Sequence, residues 1–231
     1  MNIRNIKDIM QDSVLAASMD LADCRALFAD ARRRTFDPGQ MIFAEGEPGN
    51  MVMLIETGRV EVSVTSASGR KSVLAHMGPS ELLGEIAALD GGARSADAIA
   101  AGTVSGLVLS RQNLLAFVAE RPNVAQAIIT ELCRKVRNAS DMFATQSVTE
   151  GGPRLARALL QLFDRWGETG PDGVEHLKER FSQGEIGEFS GLARENVNRH
   201  IKTWVKQGYL RSESRQLVLS DREALEDMIG N

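Results

Sequence analysis

The chain is predicted to fold as α+β: an N-terminal β jelly-roll, a long helix, and a C-terminal helix-turn-helix with a hairpin wing. Three observations predict it. Between Phe36 and Leu109, short aliphatic and β-branched runs alternate with glycine turns, as in a chain of many short strands that closes into a sandwich. From Pro122 to about Gln146, apolar residues recur every three or four positions. From Ser182, a capping residue and two glycines stand at the spacing of two short helices joined by a tight turn.

The composition fits a soluble two-domain protein. At 231 residues, with 43% hydrophobic and 25% charged content, there is room for a mid-sized domain and a small one. No apolar run reaches the roughly 18 residues of a membrane span. The start, M-N-I-R-N-I-K-D-I-M, is broken by charge too often for a signal peptide, so a cytoplasmic location without a membrane partner is expected. A net charge of −4 and a pI near 5.5 argue against a generally basic nucleic-acid binder but leave room for one positive face. Cys24 and Cys133 are too far apart for a C-x-x-C pair and too few to hold a four-thiolate cluster, and both read as small buried apolar residues. His76, His176 and His200 form neither H-x-H nor H-E-x-x-H. With no nucleophile–base arrangement either, no metal site and no catalytic residue are expected; the chain does not read as an enzyme.

Taken in order, Met1 to about Arg34 reads as an amphipathic helix with Ala22, Leu27 and Phe28 apolar and Arg32, Arg33 and Arg34 as a solvated cluster at its C-terminal end. Strands are expected at Met41–Phe43, Val52–Ile55, Val60–Val64, Val73–His76 and Val104–Leu109. Turns fall at Pro38-Gly39, Gly46 to Gly49, Gly58, Ser68-Gly69, Gly78-Pro79 and Gly91-Gly92.

Inside this region, Gly84 to Ala96 reads G-E-I-A-A-L-D-G-G-A-R-S-A. Gly84 allows close backbone approach, and a helical turn from Glu85 would aim the N–H groups of Ile86 and Ala87 at an anion. Arg94 offers a planar fork matched to phosphate oxygens, and the Ser95 hydroxyl adds a donor. Glu85 would repel a bare phosphate, so it calls for a neutral hydrogen-bond donor such as a ribose hydroxyl. Taken singly, these residues would read as chain turns beside a surface ion pair. The string as a whole resembles the phosphate-binding cassette of the cyclic nucleotide-binding domain family. F-x-x-G-E-P-G-N at Phe43 to Asn50 and G-R-V-E-V at Gly58 to Val62 resemble that family's hairpins. The resemblance implies that Glu85 takes the ribose 2′-OH, that Arg94 takes the cyclic phosphate, and that Gly84, Ile86, Ala87, Ser95 and Ala96 line it.

Arg111 to Ala119 reads as a short helix, and Pro122 opens the long one. Its seam of Val124, Ile128, Leu132, Val136, Ala139 and Phe143 either packs onto the β domain or pairs with its twin in a second chain; its length favours a homodimer axis. Family resemblance of C-R-K-V-R-N-A-S-D-M places Asn138, Ala139 and Ser140 toward the base. Ala139 lacks the hydroxyl expected there, which leaves base preference more open than the phosphate assignment. Gly151-Gly152 before Pro153 marks the boundary between a sensor domain, 1–147, and a second domain, 148–231. Pro153 to Trp166 is a helix with Leu155, Leu159, Leu162, Phe163 and Trp166 on one side, followed by a Gly/Pro-rich loop from Gly167 to Gly173.

In the second domain, Ser182 and Glu185 form a capping box, Gly187 gives close packing, and Gly191 turns the chain into a helix from about Ala193 to Gln207. On its wheel Val197, Ile201, Trp204 and Val205 fall on one side, and Arg194, Glu195, Asn198, Arg199, Lys202 and Lys206 on the other. From Gly187 to Arg215, Arg194, Arg199, Lys202, Lys206, Arg211 and Arg215 oppose Glu188, Glu195 and Glu213, a local excess of three positive charges. Arginine pairs bidentately with guanine and glutamate accepts from cytosine, so R-E-x-x-x-R suits G·C pairs in a major groove. Tyr209 to Arg211 and Leu217 to Leu219 read as the wing, and Ser220-Asp221 caps a last helix.

This segment resembles the DNA-binding domain of the CRP/FNR family of bacterial regulators, in its catabolite activator branch. The resemblance implies a homodimer that binds double-stranded DNA at a palindromic TGTGA-like site, gated by cAMP in preference to cGMP and acting with RNA polymerase. Arg194, Glu195 and Arg199 would read the half-site. A regulator answering to another ligand, or to none, is the alternative. Ser190 and His200 depart from the family's apolar residues, and His200 reads as an edge-of-core residue.

Overall fold

The computed structural model describes residues 18–69, 71–147, 150–170, 173–213 and 216–230, with the side chains of 21 and 141–147 left aside. The chain divides into two compact units, 1–138 and 139–231. The first contains α1 (Leu21–Phe28), β1 (Arg32–Phe36), β2 (Met41–Phe43), β3 (Met51–Thr57), β4 (Val60–Thr65), β5 (Lys71–Met77), β6 (Leu82–Leu83), α2 (Glu85–Asp90), β7 (Asp97–Ala100), β8 (Val104–Ser110), α3 (Arg111–Ala119) and the start of α4 (Pro122–Ser147).

Its strands form two four-stranded antiparallel sheets, ordered β1-β8-β3-β6 and β2-β7-β4-β5, which is the expected jelly-roll. The strand β3 reads as an unbroken apolar run because both of its faces are covered. Val52 and Leu54 join Cys24, Phe28, Leu107, Leu114 and Val124 in one core cluster, while Met53 and Ile55 join Phe36, Phe43, Val60 and Leu83 in the other.

Several expectations need correction. Arg32 to Arg34 are not a helix end: they lie in β1, paired with β8 from Arg32↔Val108 to Phe36↔Val104. Strand pairing and a bidentate bond from Arg33 to Glu56 override the local helical pattern. The helix α1, capped by Asp20, stops at Phe28; it buries Leu27 and Phe28 but leaves Ala22 exposed. Residues 1–17 of the expected helix lie outside the described residues. Cys24 is buried, but Cys133 is exposed on α4.

The seam of α4 divides in two. Val124 and Ile128 are buried in the domain core and Leu132 packs against it, whereas Ile129 and Val136 are 59% and 65% exposed and Ala139 is exposed. The side chain of Phe143 lies outside the described set.

The second unit contains α5 (Gly151–Trp166), β9 (Gly167–Thr169), β10 (Glu175–Leu177), α6 (Gln183–Ser190), α7 (Arg194–Gln207), β11 (Leu210–Glu213), β12 (Gln216–Leu219) and α8 (Arg222–Met228). Leu155, Leu159, Leu162, Phe163 and Trp166 are buried, as their spacing predicts. The helix α5 begins two residues earlier than expected, because Pro153 tolerates the first turn and the Gly-Gly pair is already helical. The wing strands join β10 and β9 in a four-stranded sheet ordered β11-β12-β10-β9, so part of the expected loop after Trp166 is strand. No helix of the described residues is long and apolar enough to cross a membrane.

Candidate ligand cassette and nucleic-acid interface

The strand β6 delivers the chain to Gly84, whose φ of +81° makes it the left-handed N-cap of α2. The backbone conformation calls for glycine, and a Cβ at Gly84 would lie 2.4 Å from Arg94 Nη1 and push that guanidinium aside. The ladder of α2 starts with Ala88 N–H donating to the Gly84 carbonyl, which leaves the N–H groups of Glu85, Ile86 and Ala87 ahead of it.

The loop from Phe43 to Asn50 frames this turn; it is not the expected hairpin, because it joins β2 of one sheet to β3 of the other. A Cβ at Gly49 would lie 2.3 Å from the Ala87 Cβ, so only glycine lets this loop reach α2. Arg94 N–H donates to the Glu47 carbonyl (2.8 Å), and the Arg94 carbonyl accepts from Gly46 N–H (2.9 Å). The two glycine motifs of the sequence are thus one structure.

Arg94 is 4% exposed. Its Nη1 and Nη2 donate to the carbonyls of Gly84 and Met51, each at 2.8 Å, and its guanidinium lies 4.1 Å from the Phe43 ring centroid. Its Nε is buried without a hydrogen-bond partner among the described residues. Burial pulls its pKa down, while the carboxylates of Glu47 and Glu85 pull it up. A desolvated cation with an unmet donor, held beside open helix-start N–H groups, fits an anion.

Glu85 is 5% exposed. Its Oε1 accepts from Lys135 Nζ at 2.7 Å, and Lys135 also donates to the Leu82 carbonyl at 3.3 Å. Arg134 lies 3.6 Å from Glu81. Two adjacent cations of α4 therefore grip the strand and cassette that carry Glu85. Sequence reasoning missed Lys135: it sits in the segment read for base contacts, and nothing local links it to a carboxylate fifty positions earlier. Ala87 and Ala96 are buried, Ile86 and Ser95 exposed; Asn138 and Ser140 are exposed on α4.

In the second unit, Ser182 Oγ accepts from Glu185 N–H (3.1 Å) and Glu185 Oε2 accepts from Ser182 N–H (2.7 Å), closing the predicted capping box. A Cβ at Gly187 would lie 2.7 Å from the Leu192 carbonyl oxygen, and Gly191 turns the chain at φ +68°. These contacts set α7 against α6. Val197, Ile201 and Trp204 are buried, while Arg194, Glu195, Arg199 and Lys202 are exposed and Asn198 is half-buried. Val205 is 38% exposed, against expectation, because helical geometry carries it about 80° round from Val197. Ser190 is buried but donates to the Gly187 carbonyl at 3.3 Å. His200 is half-buried against Trp204, and desolvation, then the neighbouring Arg199, lowers its pKa. Arg215, part of the predicted positive excess, lies outside the described residues.

Residues 33–121 match the cyclic nucleotide-binding domain, and residues 153–228 match the Crp-like helix-turn-helix domain. The chain is 32% identical over 190 residues to a CRP-like cAMP-activated global transcriptional regulator of Mycobacterium tuberculosis, covering 82% of this chain and 84% of that protein. The chain belongs to the CRP/FNR family of transcriptional regulators. It is also 31% identical over 197 residues to the cyclic AMP receptor protein of Thermus thermophilus, covering 85% and 88% of the two chains. The structure of FixK2 from Bradyrhizobium japonicum superposes with a TM-score of 0.77 at 25% identity, covering 87% of this chain and 98% of that one. As a CRP/FNR member, the chain is a DNA-binding regulator with a cyclic nucleotide-binding domain, in a family of transcription factors and not of enzymes.

Proposed function

We propose that this regulator is gated by cAMP and acts as a homodimer on a palindromic TGTGA-like operator. The observation that carries the reading is Arg94, a buried guanidinium whose Nε has no partner among the described residues, bonded to the Gly84 carbonyl beside a buried Glu85. In this reading Arg94 and the α2 N–H groups of Ile86 and Ala87 hold the cyclic phosphate, with Gly84, Ser95 and Ala96 beside it. Glu85 accepts from the ribose 2′-OH, and Asn138 and Ser140 face the base. Two relatives above 30% identity bear names that tie them to cAMP, and Ser95 leans the same way against cGMP.

The ion pair from Glu85 to Lys135 gives the signal a route, since a ligand that engages Glu85 acts on a residue anchored to α4. Typical coupling between such sites is about 1–3 kcal/mol. The exposed Ile129 and Val136 stand one heptad apart, with the exposed Ala139 three residues further on, which supports pairing of α4 with its twin. We take the sensor domain as 1–147, to the end of that helix, and the DNA-binding domain as 148–231. Two α7 helices, each presenting Arg194, Glu195, Asn198, Arg199 and Lys202, would then enter major grooves about one helical turn apart. RNA polymerase is the protein partner expected of such a regulator.

Ala139, where the family resemblance calls for a hydroxyl, favours a second reading in which another ligand, or none, replaces cAMP. Isothermal titration of the full chain with cAMP and cGMP, repeated on Arg94→Ala, separates the two. Heat with cAMP that disappears in the variant supports the first. No heat at millimolar cAMP overturns it.

A further inference from the structure

One amide stands among the charged groups on the polar face of α7. At about 100° per residue, Asn198 falls between Arg194 and Lys202, within the arc that also carries Glu195 and Arg199. Its Oδ1 accepts a hydrogen bond from Gln183 Nε2 at 3.4 Å. Gln183 is the first residue of α6, directly after the Ser182 cap, so this bond joins the two helices of the helix-turn-helix. Both side chains are half-buried, while Arg194, Glu195, Arg199 and Lys202 around them are exposed.

We propose that Asn198 reads a base and that Gln183 positions it, so that each half-site carries a specified adenine beside the G·C pairs. The assignment rests on the reading that α7 lies in the major groove. An asparagine can donate to adenine N7 while accepting from adenine N6–H, a pairing that no other base offers in the same arrangement. Gln183 occupies one lone pair of Oδ1; among the described residues the second lone pair and both Nδ2 hydrogens remain for the base. Holding the amide before DNA arrives also lowers the ordering cost on binding. Arg194 and Arg199 are suited to guanine and Glu195 to cytosine, so Asn198 is the group on this face matched to an A·T pair.

The test is selection of operators from a random duplex pool by the full-length chain, with and without cAMP. Affinities are then measured for the four base pairs at each half-site position. Wild type should enrich a palindrome containing the adenine. Asn198→Ala should lose about 5- to 100-fold of discrimination at that one position and keep the G·C preferences. Gln183→Met, which keeps the side-chain length but removes the donor, should weaken the same preference alone, a position-resolved change that a general loss of helix packing would not produce. An Asn198→Ala profile identical to wild type, or a loss spread evenly over all positions, overturns the assignment while leaving the groove reading intact. A wild-type chain that enriches no palindrome overturns both.

Discussion

Arg94 and Arg194 carry the same guanidinium, and the chain treats them in opposite ways. Arg94 is 4% exposed, stacked on Phe43 and tied to two backbone carbonyls, whereas Arg194 opens α7 exposed to water. The first has been desolvated during folding, so its geometry is fixed and its attraction for an anion is little screened. The second keeps its hydration; in the proposed reading it would act by displacing counterions from a polyanion as well as by reading a base edge. In the proposed reading, one region would recognise a small anion by shape, and the other a long one by charge and base edges.

The largest expected effect tests the buried side of that contrast. Arg94→Ala should lower cyclic nucleotide affinity by about 100-fold or more, since the buried countercharge and its charge-assisted hydrogen bonding are lost together in a desolvated site. Calorimetry at two salt concentrations should also show wild-type ligand affinity moving far less with salt than DNA affinity does. On the exposed side, Lys202→Ala should weaken binding to specific and random duplexes alike by about 10-fold and reduce the salt slope by about one. An effect confined to one sequence would make Lys202 a base reader.

A smaller change probes how far the cassette is preformed. Gly84→Ala forces a side chain into φ +81° and toward Arg94 Nη1, at a cost of about 1–2 kcal/mol. Thermal melting should show a drop of about 5 °C, with ligand affinity falling as Arg94 is displaced. The smallest effect concerns pH. The folded pKa of His200 is lowered, so below its ordinary value of 6.5 the unfolded chain binds more protons than the folded one. Stability should therefore fall as pH drops through about 6.5 and level off below the folded pKa. In His200→Leu that slope should flatten, as read by urea unfolding between pH 5 and pH 8.

The cassette and the helix-turn-helix were legible because each is written in a contiguous stretch. Gly84 to Ala96 carries its own turn, helix start and arginine, and Ser182 to Gly191 carries its own cap and turn, so local stereochemistry was enough. What escaped depended on distant partners. The strand β1 reads R-R-R-T-F and looks like a basic helix end until β8 supplies its hydrogen bonds and Glu56 its countercharge. Lys135 looks like one more solvated lysine until the fold brings it to Glu85. The glycines between Phe43 and Asn50 read as turns in the sequence, but the contact with Ala87 that explains Gly49 exists only in three dimensions. The apolar period of α4 reads as one continuous seam, and periodicity alone cannot show that it turns from core to solvent between Ile128 and Val136.

Coupling between the two arginine sites decides whether this regulator senses its ligand. Fluorescence anisotropy of a short duplex bearing a TGTGA-type palindrome, titrated with the full chain at fixed salt with and without cAMP, reads that coupling in wild type and in Arg94→Ala. Tighter binding with cAMP in wild type, by about 5- to 150-fold, and none in the variant is the predicted result. Equal affinity with and without cAMP would contradict it and leave a DNA-binding protein that does not answer to this ligand.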